Sequence, residues 1–119
     1  EETTLDRQQV RRIHDFLEKC VENGRFVYDG IFTSSDVHAV AVYQKLRDMH
    51  IRIPEDVQLI GYDGLRILNT GNYAVSSIAQ PVKDMAVACV DVLVKMIEKK
   101  PVPEEIILPV RFVNGGTTR

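Results

Sequence analysis

The sequence predicts an α/β fold built on a parallel sheet with crossover helices. Two observations carry the prediction. Stretches with apolar residues three and four apart alternate with short apolar runs bounded by turn residues, in the order helix, strand, helix, strand, strand, helix, strand, strand. The chain has 119 residues of which 45% are hydrophobic, enough for one core near the lower end of domain size.

Each element has its own local reason. Val10, Ile13, Leu17 and Cys20 make the apolar stripe of a first helix, with Thr3 and Asp6 spaced as a capping box and Asn23-Gly24 as its left-handed stop. Ile31-Phe32-Thr33, after the turn dipeptide Asp29-Gly30, is too brief for a helix and is expected to be a buried strand. Ser34-Ser35-Asp36 starts the next helix, with Asp36 favoured as the cap. Its stripe is Ala39, Val42, Leu46 and Met49, and Val37, Val40 and Ala41 widen the arc as if a second side were covered. Pro54 is expected to break this helix and to hold Ile53 extended.

Val57 to Tyr62 forms the second strand, Leu65 to Tyr73 has no period and is expected to be a loop, and Ala74 to Ile78 is a third strand. Pro81 fits the first position of a helix carrying Met85, Cys89, Val92 and Met96 and closing at Lys99-Lys100-Pro101. Pro103 to Pro109 is extended, and Val110 to Val113 alternates like a terminal edge strand. Gly115-Gly116 is expected to be a flexible terminus.

Charge and cysteine usage limit the function. Fifteen basic against seventeen acidic residues leave a formal charge of -2, so nothing here attracts a phosphate backbone or an anionic membrane. Cys20 and Cys89 both fall in apolar stripes as small hydrophobes, without CxxC or Cys/His company, which suits a reducing, cytoplasmic setting. No signal peptide or transmembrane-length run is visible. His14, His38 and His50 lack partners at metal-ligand or triad spacing, and no phosphate-binding glycine loop or nucleophile elbow occurs. No cofactor, metal site or catalytic group is expected.

Ligands of open parallel sheets bind beyond the carboxyl ends of the strands. Those ends here are Ser34-Ser35-Asp36, Tyr62-Asp63-Gly64 and Ala79-Gln80-Pro81. A hydroxyl, a carboxylate and an amide are suitable groups for orienting a polyhydroxylated ligand, and they equally suit ordinary caps and turns.

Four stretches, in order, resemble the lactose/galactose repressor family. Asp29 to Ala39 resembles its apolar strand followed by Asn-Asp or Ser-Asp, and Ile51 to Asp63 resembles its proline-to-Gly-Ala-Asp stretch. Ser77-Ile78-Ala79-Gln80-Pro81 and Leu108 to Val113 resemble two further signatures of that family. The resemblance implies the C-terminal lobe of a periplasmic-binding-protein-like type I fold, residues 1–119 being a partial effector domain and the helix at 81–99 crossing to the other lobe. It implies a sugar-sensing, dimerising repressor fragment, not an enzyme, whose DNA-binding domain lies outside this stretch and alone contacts operator DNA. The effector would be a sugar or sugar phosphate, coupled allosterically to operator affinity.

Carried over by position, Ser35, Asp63 and Gln80 would contact the effector. Ser35 stands where an asparagine is common, and Gly64 replaces a second aspartate. Val37, Val40 and Ala41 fall at the family's dimer interface, with a deeper core as the other reading of the same stripe. Two further functions fit the fold: a sugar-binding component of a transport or sensor system, and a small flavodoxin-like catalytic domain using Asp63.

Overall fold

The computed structural model describes residues 5–66 and 72–119. Thr3 and the middle of the expected 65–73 loop lie outside the described residues. The chain divides into two units, residues 1–79 with 112–119, and residues 80–111.

The first unit opens with helix α1, Arg7–Lys19. Its capping box is formed by Asp6 and Gln9: the Gln9 amide donates to Asp6 Oδ1 at 2.7 Å, and the Asp6 amide donates to Gln9 Oε1 at 3.0 Å. The cap therefore lies three residues beyond Thr3, because glutamine at the third helical position can reach back to the Asp6 amide. Asn23-Gly24 does not stop this helix, which ends at Cys20, whose amide donates to the Leu17 carbonyl. It instead turns a small hairpin between β1, Val21–Glu22, and β2, Arg25–Phe26, with φ of 51° and 75° at the two turn residues. Asn-Gly favours such a turn because both central residues take positive φ.

Strand β3, Gly30–Phe32, leads to helix α2, Asp36–Asp48, and on to β4, Gln58–Asp63, and β5, Ser77–Ala79. The main sheet runs β3-β4-β5-β6, where β6 is Arg111–Val113. Gly30 pairs with Gln58 and Gly61 with Ser77, both in parallel, as expected for strands joined by a crossover helix. Helix α2 ends before Pro54 acts on it, with His50 in a left-handed conformation at φ 58°. Ile53-Pro54 is a cis peptide.

Leu17 of α1, Ala39, Val42 and Leu46 of α2, Leu59 of β4, and the flanking Val57 and Val75 form the core between helices and sheet. The predicted stripe of α2 is the one that is buried. Lys45 of α2 also pairs with Glu18 of α1, holding the Glu18 carboxyl below its ordinary range.

The loop into β4 is closed by a second ion pair. Asp56 accepts from the Arg52 amide and Nε, each at 2.9 Å, and from Nη2 at 2.6 Å. These bonds, the side-chain ones first, lower the Asp56 carboxyl from 3.8 to about 2. A folded-state value below the unfolded one stabilises the fold fully above about 4 and is lost as pH falls towards about 2. Asp56→Asn is therefore expected to remove part of the stability change between pH 4 and 2 in urea titrations. Identical pH profiles for both proteins would show that the pair contributes nothing, as exposed pairs can.

The expected mobile end is absent. The Thr117 hydroxyl donates to the Leu59 carbonyl at 2.7 Å and accepts from the Ser76 amide at 2.8 Å, while the Leu59 amide donates to the Thr117 carbonyl. Ser76 Oγ in turn accepts from the amides of Gly115 and Thr117, each at 3.2 Å. Gly115-Gly116 thus belongs to a hydrogen-bonded clasp across β4 and the start of β5, because the polar backbone there has to be satisfied without water.

The second unit contains helix α3, Val82–Ile97, preceded by Pro81 at the cap position and not at the first helical position. No residue of α3 is buried, so Cys89 is exposed, unlike the buried Cys20. Met85, Cys89, Val92 and Met96 with Ile106 and Leu108 line an apolar groove of about 450 Å³ within this unit. Residues 103–109 form no strand, since Pro103 and Pro109 lack ladder donors. Among the described residues no helix is long and apolar enough to cross a membrane.

Candidate functional site

Parallel pairing brings the carboxyl ends of β3, β4 and β5 to one edge of the sheet. Phe32 at the end of β3 is in register with Ile60, and Asp63 at the end of β4 with Ala79 at the end of β5. The edge therefore presents the start of α2 and the Asp63-Gly64-Leu65 turn within one unit. Gln80 follows Ala79 directly in the chain and opens the second unit.

Ser35 is the N-cap of α2, and Asp36 is not. The Ser35 hydroxyl accepts from the His38 amide at 3.4 Å and lies 2.6 Å from His38 Nδ1. His38, which has no partner at metal-ligand or triad spacing along the chain, holds that hydroxyl. Its position three residues after the cap was the available signal. Thr33 steadies the same turn by donating to the Ser35 carbonyl at 2.9 Å.

Asp36 takes a different part. It is 1% exposed, and its carboxylate accepts from Ser77 Oγ at 2.7 Å and from the Leu65 amide at 2.5 Å. One carboxylate thereby joins the starts of α2 and β5 and the turn after β4. Nothing in its spacing could reveal this, because its partners lie 29 and 41 residues away. A Cβ at Gly61 would overlap Asp36 Oδ1 and lie 3.2 Å from Ala39 Cβ, so the strand needs a glycine where the carboxylate crosses it.

Asp63 is exposed and has a φ of 116°, a region that residues with a side chain rarely occupy. Gly64 follows at φ 82°, and a Cβ there would stand 2.5 Å from Ala79 Cβ. A second aspartate would not fit position 64 on this backbone. Among the described residues no group of three His, Cys, Asp or Glu side chains is placed to hold a metal ion.

On α2, Ala41 is 3% exposed, whereas Val37 and Val40 are half-buried. A covered alanine offers no surface to a partner. Only the two valines of the expected dimer stripe retain accessible apolar area.

A largely parallel sheet with polar groups at its carboxyl edge defines the class as α/β, and comparison with known proteins narrows it. Residues 2–118 match the periplasmic binding protein-like domain family, and the chain belongs to it. The sucrose operon repressor of Streptococcus mutans serotype c is 38% identical over 73% of this chain and 27% of its own length. The chain thus spans about a quarter of that relative. A LacI family transcriptional regulator from Arthrobacter, solved in complex with lactose, is 25% identical with a TM-score of 0.72 over 93% of this chain and 42% of that one. The dimeric Lac repressor shares the fold at a TM-score of 0.76 and 19% identity, over 92% of this chain and 38% of that one. The chain is thus similar to parts of a sugar-operon repressor and of LacI family regulators within the periplasmic binding protein-like family.

Proposed function

We propose that the chain is part of the sugar-sensing domain of a bacterial transcription repressor, with Ser35, Asp63 and Gln80 contacting the effector. The observation that carries this reading is Asp63, an exposed carboxylate on strained backbone at the carboxyl end of β4. Ser35 opens the neighbouring helix, and Gln80 leaves β5 directly after the residue paired with Asp63. The named relatives, a sucrose operon repressor and a lactose-bound regulator, support a sugar over other polyols and a regulatory over a catalytic role.

Residues up to Ala79 together with the final strand are assigned to the C-terminal lobe, and the helix in 81–99 to a crossing into the other lobe. The separation of 80–111 as its own unit supports this division. The protein works in the cytoplasm, as a homodimer whose contact uses Val37 and Val40, and it meets operator DNA through another domain. Sugar binding acts by its differential affinity for two interlobe arrangements, a coupling on the order of 1–3 kcal/mol.

Calorimetric titration of the full-length protein with sucrose, lactose and ribose, free and phosphorylated, tests the reading. Asp63→Ala is expected to weaken binding about 10- to 100-fold, the loss of a charged hydrogen-bond acceptor worth roughly 1.5–3 kcal/mol, while operator binding persists. Unchanged sugar affinity would reject the assignment of Asp63.

A further inference from the structure

Asp63 sits on unusual backbone. Its φ of 116° lies in left-handed territory that is unfavourable for a residue with a side chain and persists only where the surrounding structure imposes it. Two bonds flank it on the chain. The Gly64 amide donates to Ser77 Oγ at 3.1 Å, and the Leu65 amide donates to Asp36 Oδ2 at 2.5 Å. Ser77 Oγ in turn donates to Asp36 Oδ1 at 2.7 Å, so the hydroxyl relays the carboxylate to Gly64. Both side chains are sealed from water, Asp36 at 1% and Ser77 at 0% exposure. Bonds to a charged acceptor in such surroundings are the strong kind.

We propose that Asp36 and Ser77 are positioning residues for effector binding: their linked carboxylate and hydroxyl hold the two amides after Asp63, and thereby aim the Asp63 carboxylate at the sheet edge. This rests on the reading of Asp63 as an effector contact. The arrangement also gives Gly61 its purpose, since the empty space at that position is where the Asp36 carboxylate passes. Neither side chain touches the effector in this scheme. Ser77 acts through the Gly64 amide alone, and Asp36 through Leu65 and Ser77.

The test uses the full-length protein with sucrose as probe. In Ser77→Ala, amide hydrogen exchange at Gly64 and Leu65 is expected to accelerate at least about tenfold, and sucrose affinity to fall about tenfold, with melting temperature changed by only a few degrees. Asp36→Asn, which cannot serve both donors as an acceptor, is expected to act in the same direction and more strongly. The deciding measurement is the double variant. If Ser77 works through Asp63, then Ser77→Ala costs no further affinity once Asp63→Ala is present, whereas an independent structural role would add its full effect. Additive losses overturn the proposal, as does unchanged exchange at Gly64 and Leu65. Loosened exchange with unchanged affinity in Ser77→Ala overturns it too while leaving Asp63 as a contact. Unchanged affinity in Asp63→Ala alone removes the contact and the positioning role together.

Discussion

Gly61→Ala is expected to destabilise the protein by about 3–5 kcal/mol. Overpacking a close-packed interior costs roughly 1–3 kcal/mol, and disturbing hydrogen bonds to a charged group adds roughly 1.5–3 kcal/mol. Both apply here, because the new methyl would occupy the space of Asp36 Oδ1 and the carboxylate is tied at both oxygens. Ala39 closes the other direction, with its Cβ 3.2 Å from the added atom. Urea denaturation measures the loss as a lower midpoint at unchanged slope. Gly30→Ala is the control, since the nearest atom to a Cβ there is the Gln58 carbonyl oxygen at 3.8 Å, an ordinary contact. If Gly61→Ala lost less than about 1 kcal/mol, the carboxylate would have to be free to step aside.

Thr117→Val should cost about 2–4 kcal/mol, and Thr117→Ser well under half of that. Valine has nearly the shape of threonine and keeps the site covered, so water does not replace what is removed. The Leu59 carbonyl loses its side-chain donor and the Ser76 amide its acceptor, each at roughly 1–3 kcal/mol for a buried group left unpaired. Serine retains the hydroxyl and loses one methyl. The comparison of the two variants by thermal and urea denaturation isolates the hydroxyl. Equal losses would mean that the methyl group holds the clasp.

Periodic burial was the legible part of the fold. The stripe Ala39, Val42, Leu46 announced which face of α2 enters the core, because the period of side-chain burial is a local property of the chain. The short run at 31–33 announced a strand but not its exposure, since β3 is not the buried strand expected and its Phe32 is 66% exposed. Turn residues were less informative. Asn23-Gly24 satisfies both a helix stop and a hairpin, and only the pairing of Val21 with Phe26 decides between them. Likewise Asp36 and Ser35 are both good caps in isolation. Ser35 takes that place because the Asp36 carboxylate is drawn to Ser77 and Leu65.

The candidate site divides in the same way. Ser35 and Asp63 could be marked from sequence, since ligand sites in parallel sheets follow strand ends and strand ends can be found from local pattern. The alternation of the main helices and strands and the stripe of α2 that faces the core were therefore determined by the sequence by itself, whereas the β1-β2 hairpin and the lack of a strand at 103–109 were not. Tertiary structure alone decided that Asp36 is a buried strut, that Ala41 is buried while Val37 and Val40 are only half-buried, and that Gly115-Gly116 is clamped through Thr117. The physical reason is range: helix and strand periods are set by neighbours a few residues apart, whereas a buried polar group is satisfied by whichever partner the folded chain brings within about 3 Å.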